Sequence, residues 1–76
     1  MTLYDGKKGG TYTVSGIELE EKEKRRLEIL GLTHHSEVKI LNAKKNGSMI
    51  IKVRGTRFAI GKKFALGIKT EGEAKW

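Results

Sequence analysis

Polar and apolar residues alternate in short runs along most of the chain, and most runs stop at or near a glycine. Thr11-Tyr12-Thr13-Val14-Ser15 has a period of two and is rich in β-branched and aromatic residues, which predicts a strand burying Tyr12 and Val14. Gly16 ends or bends it. From Glu18 to Leu30 the spacing becomes helical: Leu27 and Leu30, with Leu19 and Glu23 on the same side, make a short apolar stripe, and the opposite face is charged. Glu20 and Glu21 precede Lys24 and Arg25 by four residues, and the acids lie early, as the helix dipole favours. Gly31 follows where a helix ends in a residue of positive φ. The pattern predicts a helix over 18–30, laid as a lid on a core.

Three strands follow in quick succession. Val38 and Ile40 alternate with Glu37 and Lys39, and Leu41 breaks the alternation, which predicts a bulge. Lys44-Lys45-Asn46-Gly47 contains Asn-Gly, the strongest two-residue hairpin signal. Met49, Ile51 and Val53 share one face, with Ile50, Lys52 and Arg54 opposite. Gly55-Thr56 fits a type II′ turn with glycine first, leading into Arg57-Phe58-Ala59-Ile60, a strand that buries Phe58 and Ile60. Gly61 to Ala65 reads as one helical turn, Leu66 to Thr70 as a closing strand, and Glu71 to Trp76 as a frayed tail. At the other end, Asp5 to Gly10 is a polar, glycine-rich turn; it lacks the flanking strand and helix and the Lys-Ser/Thr ending of a phosphate loop. The core then spans about residues 10–70. This is an all-β fold with a short helix: about five short strands bent into a small antiparallel barrel, because open edges are hard to protect at this size.

Length and charge narrow the function. Seventy-six residues give one domain, 1–76, and the absence of cysteine removes disulfides, cysteine-based zinc sites and thiol chemistry. The net charge is +7, and it is uneven. Between Glu37 and Glu71 no acid occurs, while Lys39, Lys44, Lys45, Lys52, Arg54, Arg57, Lys62, Lys63 and Lys69 all fall there. The second half therefore projects a positive field toward acidic proteins, anionic lipid or nucleic acid. No apolar run reaches the roughly 18 residues of a membrane span, and the start lacks a signal-peptide pattern, so a soluble cytoplasmic protein is expected.

Arg25-Arg26-Leu27-Glu28-Ile29-Leu30-Gly31-Leu32, six residues before a Val-x-Ile strand, resembles the ferrous iron transport protein A (FeoA) family. In that family a basic-basic-Leu-x-x-Leu-Gly-Leu/Met segment ends the helix and turns into a strand. Val53-Arg54-Gly55 followed by Arg57-Phe58-Ala59-Ile60 is similar to the family's Val-x-Gly-x-x-Leu-Ala-Leu strand pair, and Ala65 and Ile68 match its small helix and last strand. On this resemblance Arg26, Leu27, Leu30, Gly31 and Gly55 carry the structural motif, and Leu27, Leu30 and Leu32 anchor the helix. The resemblance implies an SH3-like barrel and a small cytoplasmic accessory of a membrane ferrous iron transporter with a GTPase domain. Three positions depart from the pattern: His34-His35 stands where the family has Pro-Gly, Lys45 to Ser48 replaces a longer proline-containing connection, and Gly61 replaces an arginine.

Candidate chemistry is sparse. His34 and His35 are the only imidazoles and the only metal-ligand candidates of that type. On an extended segment neighbours point to opposite sides, and Glu28 and Glu37 are loosely placed, so these are read as solvated turn residues without a metal or cofactor. Ser15, Ser36 and Ser48 have no paired His and acid, and Asp5 lies in a floppy turn, so no enzyme is expected. Nucleic-acid binding suits the charge, but Tyr12, Phe58 and Phe64 are assigned to the core and Tyr4 and Trp76 to the ends, leaving no stacking platform. A sequence-blind nucleic-acid affinity is one alternative and a generic SH3-like protein-interaction module another. The preferred expectation is a monomer whose partner surface comprises Leu32, Arg54, Arg57, Lys62 and Lys63, with charge steering association.

Overall fold

In the computed structural model, which describes residues 1–73, five strands form one antiparallel sheet. They are Thr11–Ile17 (β1), Glu37–Ala43 (β2), Met49–Val53 (β3), Thr56–Ile60 (β4) and Ile68–Glu73 (β5), in the order β4-β3-β2-β1-β5. Helix α1, Glu21–Ile29, connects β1 to β2, and helix α2, Lys62–Gly67, carries the chain from the β4 edge to the β5 edge. The sheet bends without closing, since β4 and β5 are its two edges.

Bulges supply the bend. Leu41 is the extra residue between the Ile40–Ile51 and Asn42–Ile50 pairs, as its break in the alternation predicts. Two further register shifts, at Tyr12/Thr13 and Val14/Gly16, curve β1 against β5, so Gly16 bends the strand without ending it. The concave face gathers Val14, Val38, Ile40, Ile51, Val53 and Ile68, all fully buried. Phe58 is only half-buried, while Ile60 is buried as predicted.

The termini are tied more firmly than composition indicates. Leu3 is fully buried, so the core begins there and not near residue 10. Thr70 donates its backbone N–H to the Met1 carbonyl at 2.8 Å, and Thr2 bridges to Lys69. Asp5, expected in a floppy turn, accepts from the Thr2 backbone N–H and hydroxyl, both at 3.0 Å, and closes a 3₁₀ turn over Leu3–Asp5. Those two bonds, the backbone one first, hold the Asp5 carboxyl below its ordinary range. Tyr4, expected at a fraying end, packs half-buried against the core. At the other end Glu71 and Glu73 pair with Thr13 and Tyr12, so the expected tail from Glu71 begins as strand; residues 74–76 lie outside the described residues. The expected closing strand from Leu66 starts at Ile68, because Leu66 and Gly67 complete α2.

Both hairpin turns differ from their predicted types. The β2–β3 connection is a turn from Lys44 to Gly47, closed by Gly47 N–H to Lys44 O at 3.0 Å, with Gly47 at φ +95° and Asn46 not left-handed. This is a three-residue loop whose glycine takes the left-handed position. The β3–β4 turn centres on Arg54-Gly55, flanked by the Val53–Thr56 pair, with φ of +51° and +82°. Two successive positive values define type I′, not type II′, and shift the turn by one residue.

Candidate functional site

Helix α1 begins at Glu21, three residues later than predicted, after Glu18 donates its N–H to the Gly67 carbonyl at 2.7 Å. Its C-terminus closes with a paired cap. Gly31, at φ +94°, donates to the Glu28 carbonyl, and Leu32 donates back to the Leu27 carbonyl, both at 2.9 Å. That 5→2 and 6→1 pairing is a Schellman motif, which folds the residue after the glycine back toward the helix. Leu32 therefore turns inward and is 0% exposed, corrected from a partner-surface residue to a core residue beside Leu27. Leu30 is displaced from its predicted anchoring place and is 47% exposed.

The reversal continues through Thr33-His34-His35-Ser36. Ser36 donates its N–H to the Thr33 carbonyl at 3.0 Å, and His35 stands at φ +75°. Positive φ at the third position is the type II arrangement, for which proline and glycine are the favoured central residues. His34-His35 thus occupies the two central positions that Pro-Gly would favour, and His35 carries the left-handed strain. Two contacts hold it there: the His35 N–H reaches the Val14 carbonyl at 2.7 Å, and the buried Ser36 hydroxyl binds Gly31 O, Thr33 N and the Thr33 hydroxyl within 3.1 Å. The two imidazoles stack, with centroids 4.0 Å apart, so the expectation that they point to opposite sides is corrected; they lie on a turn, not on an extended segment. Among the described residues no group of three or more His, Asp or Glu side chains gathers around them.

Beyond this cap lies an apolar groove of about 380 Å³, bounded by the end of α1, β4 and the start of α2. Ile29 stands 85% exposed at its mouth, joined by Leu30, Phe58, Ala59 and Phe64, with Arg26 alongside. The groove runs beside the open edge of β4. Ile29 was absent from the predicted surface because helical spacing assigns apolar residues to the core; its position off the Leu27 stripe is the signal that marks it.

The predicted basic surface separates into two parts. Arg57 stands directly opposite Lys52, and Lys52 opposite Lys39, a row of three exposed cations across β4, β3 and β2. Lys39 and Lys52 were not singled out from sequence, since only strand register aligns them. Arg54, beside this row, lays its stem over Gly31, with Cδ 3.3 Å from where a Cβ would stand. Lys62 and Lys63 belong to the helical side. The Lys62 stem packs against Gly47, and its ammonium lies 5.3 Å from the Tyr4 ring centroid. Lys63 Nζ donates to Glu23 Oε2 at 2.9 Å. This bond pulls the Glu23 carboxyl below its ordinary range and raises the Lys63 ammonium.

The architecture agrees with known structures. A solution structure of FeoA from Chlorobium tepidum matches with TM-score 0.85 and 27% identity, covering 92% of this chain and 68% of that one. A crystal structure of an iron uptake regulatory protein, FeoA, matches with TM-score 0.82 and 30% identity over 92% of each chain. A zinc complex of Stenotrophomonas maltophilia FeoA, described as a procaryotic SH3 domain protein, matches with TM-score 0.81 and 22% identity over 93% of this chain and 89% of that one. The bent five-stranded sheet is thus SH3-like. Among curated proteins, none matches this sequence. No helix among the described residues is long and apolar enough to cross a membrane. The family model for the FeoA domain matches residues 1–71, and the chain belongs to the FeoA family.

Proposed function

We propose that this protein is a cytoplasmic accessory of ferrous iron uptake, monomeric by itself, that binds the cytoplasmic part of a membrane ferrous iron transporter carrying a GTPase domain. It acts by contact and not by catalysis. Family membership supports the iron-uptake setting, since one of the similar structures is named an iron uptake regulatory protein. The observation that carries the binding role is the apolar groove beside the open β4 edge, where Ile29 is almost fully exposed. A free strand edge offers unpaired backbone donors and acceptors, and an adjoining apolar trough accepts alternate side chains of an added strand. The occupant is an extended apolar segment of the transporter flanked by acidic residues, which Arg26 and the basic surplus of the chain attract. The Ser36 and Ser48 hydroxyls, considered as nucleophiles, are engaged with Thr33 and Asn46.

The test is binding of the purified protein to the transporter's cytoplasmic region. Ile29→Asp should weaken it at least tenfold, while stability moves by only about 0.5 kcal/mol because the side chain is already in water. Undiminished binding by that variant would overturn the groove. Failure of the unaltered protein to bind would overturn the accessory role.

A further inference from the structure

We propose that the outward face of β2, β3 and β4 docks on the surface of an anionic lipid bilayer. The observation is the row Lys39–Lys52–Arg57, three exposed cations in direct cross-strand register. Adjacent strands are about 4.8 Å apart, so the charges are crowded, and like charges placed directly opposite destabilise a sheet. The fold gains nothing from this row. None of its members joins the ion pairs found among the described residues, which are Arg25–Glu21, Lys63–Glu23 and Lys69–Glu18. Arg54 stands exposed in the β3–β4 turn next to the row, and Lys44 and Lys45 stand exposed in the β2–β3 turn at the far end of the strands. Glu37 is the one carboxylate lining the cleft that Lys39, Lys52 and Arg54 share.

The arrangement of charge selects the ligand. The neighbouring outward row is Asn42, Ile50 and Ala59, all uncharged, so the outer, convex side of the bent sheet carries one basic row with an uncharged border. A plane of headgroups accepts charge spread laterally with no fixed spacing, whereas single-stranded nucleic acid needs aromatic stacking and a duplex groove needs an inserted helix or ribbon. No Phe, Tyr or Trp belongs to these rows, since Phe58 alternates with Arg57 and faces the groove; the one aromatic ring lining the cleft beside them, His35, is already stacked on His34. Docking this way leaves the β4 edge and the groove beside it free. The inference stands whether or not a transporter fills that groove.

Sedimentation of the full chain with vesicles tests it, comparing pure phosphatidylcholine with a mixture containing phosphatidylglycerol, each at low and physiological salt. Binding should require the anionic lipid and fall as salt rises. Each basic residue near an anionic leaflet contributes about fivefold, so replacing Lys39, Lys52 and Arg57 together by Gln should cost about a hundredfold. A second triple variant, Lys22, Lys24 and Arg25 to Gln on α1, removes the same charge elsewhere and should bind nearly as well as the unaltered chain. Thermal melting confirms that both variants fold; the sheet variant should melt no lower than the original. Equal losses in the two variants would reduce the effect to net charge and overturn the face. So would binding to duplex or single-stranded DNA at physiological salt without binding to anionic vesicles.

Discussion

Around α1, α2 and the start of β5, bases meet acids: Lys63 reaches Glu23 at 2.9 Å, Lys69 reaches Glu18 at 3.7 Å, and Arg25 stands 3.8 Å from Glu21. Across β2, β3 and β4 the bases meet one another, Lys39 against Lys52 and Lys52 against Arg57. The two regions differ in what their geometry permits. On the helical side one pair is local, four residues apart on α1, and the other two join residues distant in sequence, whose long side chains swing to find each other. On a sheet, the opposing residue is dictated by register, and a like-charged neighbour cannot be rotated away. Exposed ion pairs of the first kind contribute little stability, so their main effect is to cancel charge. What remains on the sheet is a row of cations that no carboxylate cancels through an ion pair among the described residues.

Gly31 joins the two regions, and replacing it gives the largest expected effect. Its φ of +94° ends α1, and the Arg54 stem from the β3–β4 turn crosses it at close range. Gly31→Val should destabilise by about 1–3 kcal/mol, read as a shift in urea midpoint, since a β-branched residue is strained in the left-handed region and its Cβ crowds Arg54. Restoring space through Arg54→Ala in the same background should recover only the small steric part. Recovery of the whole loss would mean that crowding, and not backbone conformation, sets the requirement for glycine.

The difference between the regions also explains what the sequence made legible. Period-two runs located β1, β2 and β3, and the misplaced Leu41 located a bulge, because both signals are local. Gly31 was readable as a helix stop for the same reason. The burial of Leu32 was not: it depends on the Schellman motif folding residue 32 back, which outward counting along a helix does not anticipate. Leu3 was missed because a single apolar residue before a glycine-rich stretch has no period, and its burial comes from pairing with β5 at the far end of the chain. The basic surface was half legible. Composition located the charge in the second half, but only register separates the row on the sheet from Lys62 and Lys63, which are engaged with Tyr4 and Glu23.

A charge reversal in the row sharpens the contrast with a smaller effect of opposite sign. Lys52→Glu converts two repulsive cross-strand pairs, with Lys39 and Arg57, into two attractive ones. Stability should rise by about 0.5–1 kcal/mol at low salt, the range of such pairs on an exposed face, and the gain should shrink at high salt. A loss of stability would show that the row is neutralised in the free protein and would dissolve the distinction between the two regions.

The smallest effect belongs to the paired side. Glu23 presents Oε2 to Lys63, while its Oε1 is buried without a partner, so the lysine carries most of the compensation for a carboxylate whose side chain is only 19% exposed. Glu23→Gln should lower the melting temperature slightly at neutral pH. The pH dependence has a definite sign. The bond to Lys63 depresses the folded-state pKa of Glu23, so its contribution is present above the ordinary carboxylate range and disappears as pH falls through the depressed value. The Lys63 ammonium is raised, so the same contribution disappears again only as alkaline pH passes its elevated value. Melting curves of the two proteins should therefore be separated near neutrality and converge in acid. A gap of the same size at both pH values would assign the loss to packing of the Glu23 stem, and the pairing on the helical side would then have no thermodynamic weight to set against the unpaired row on the sheet.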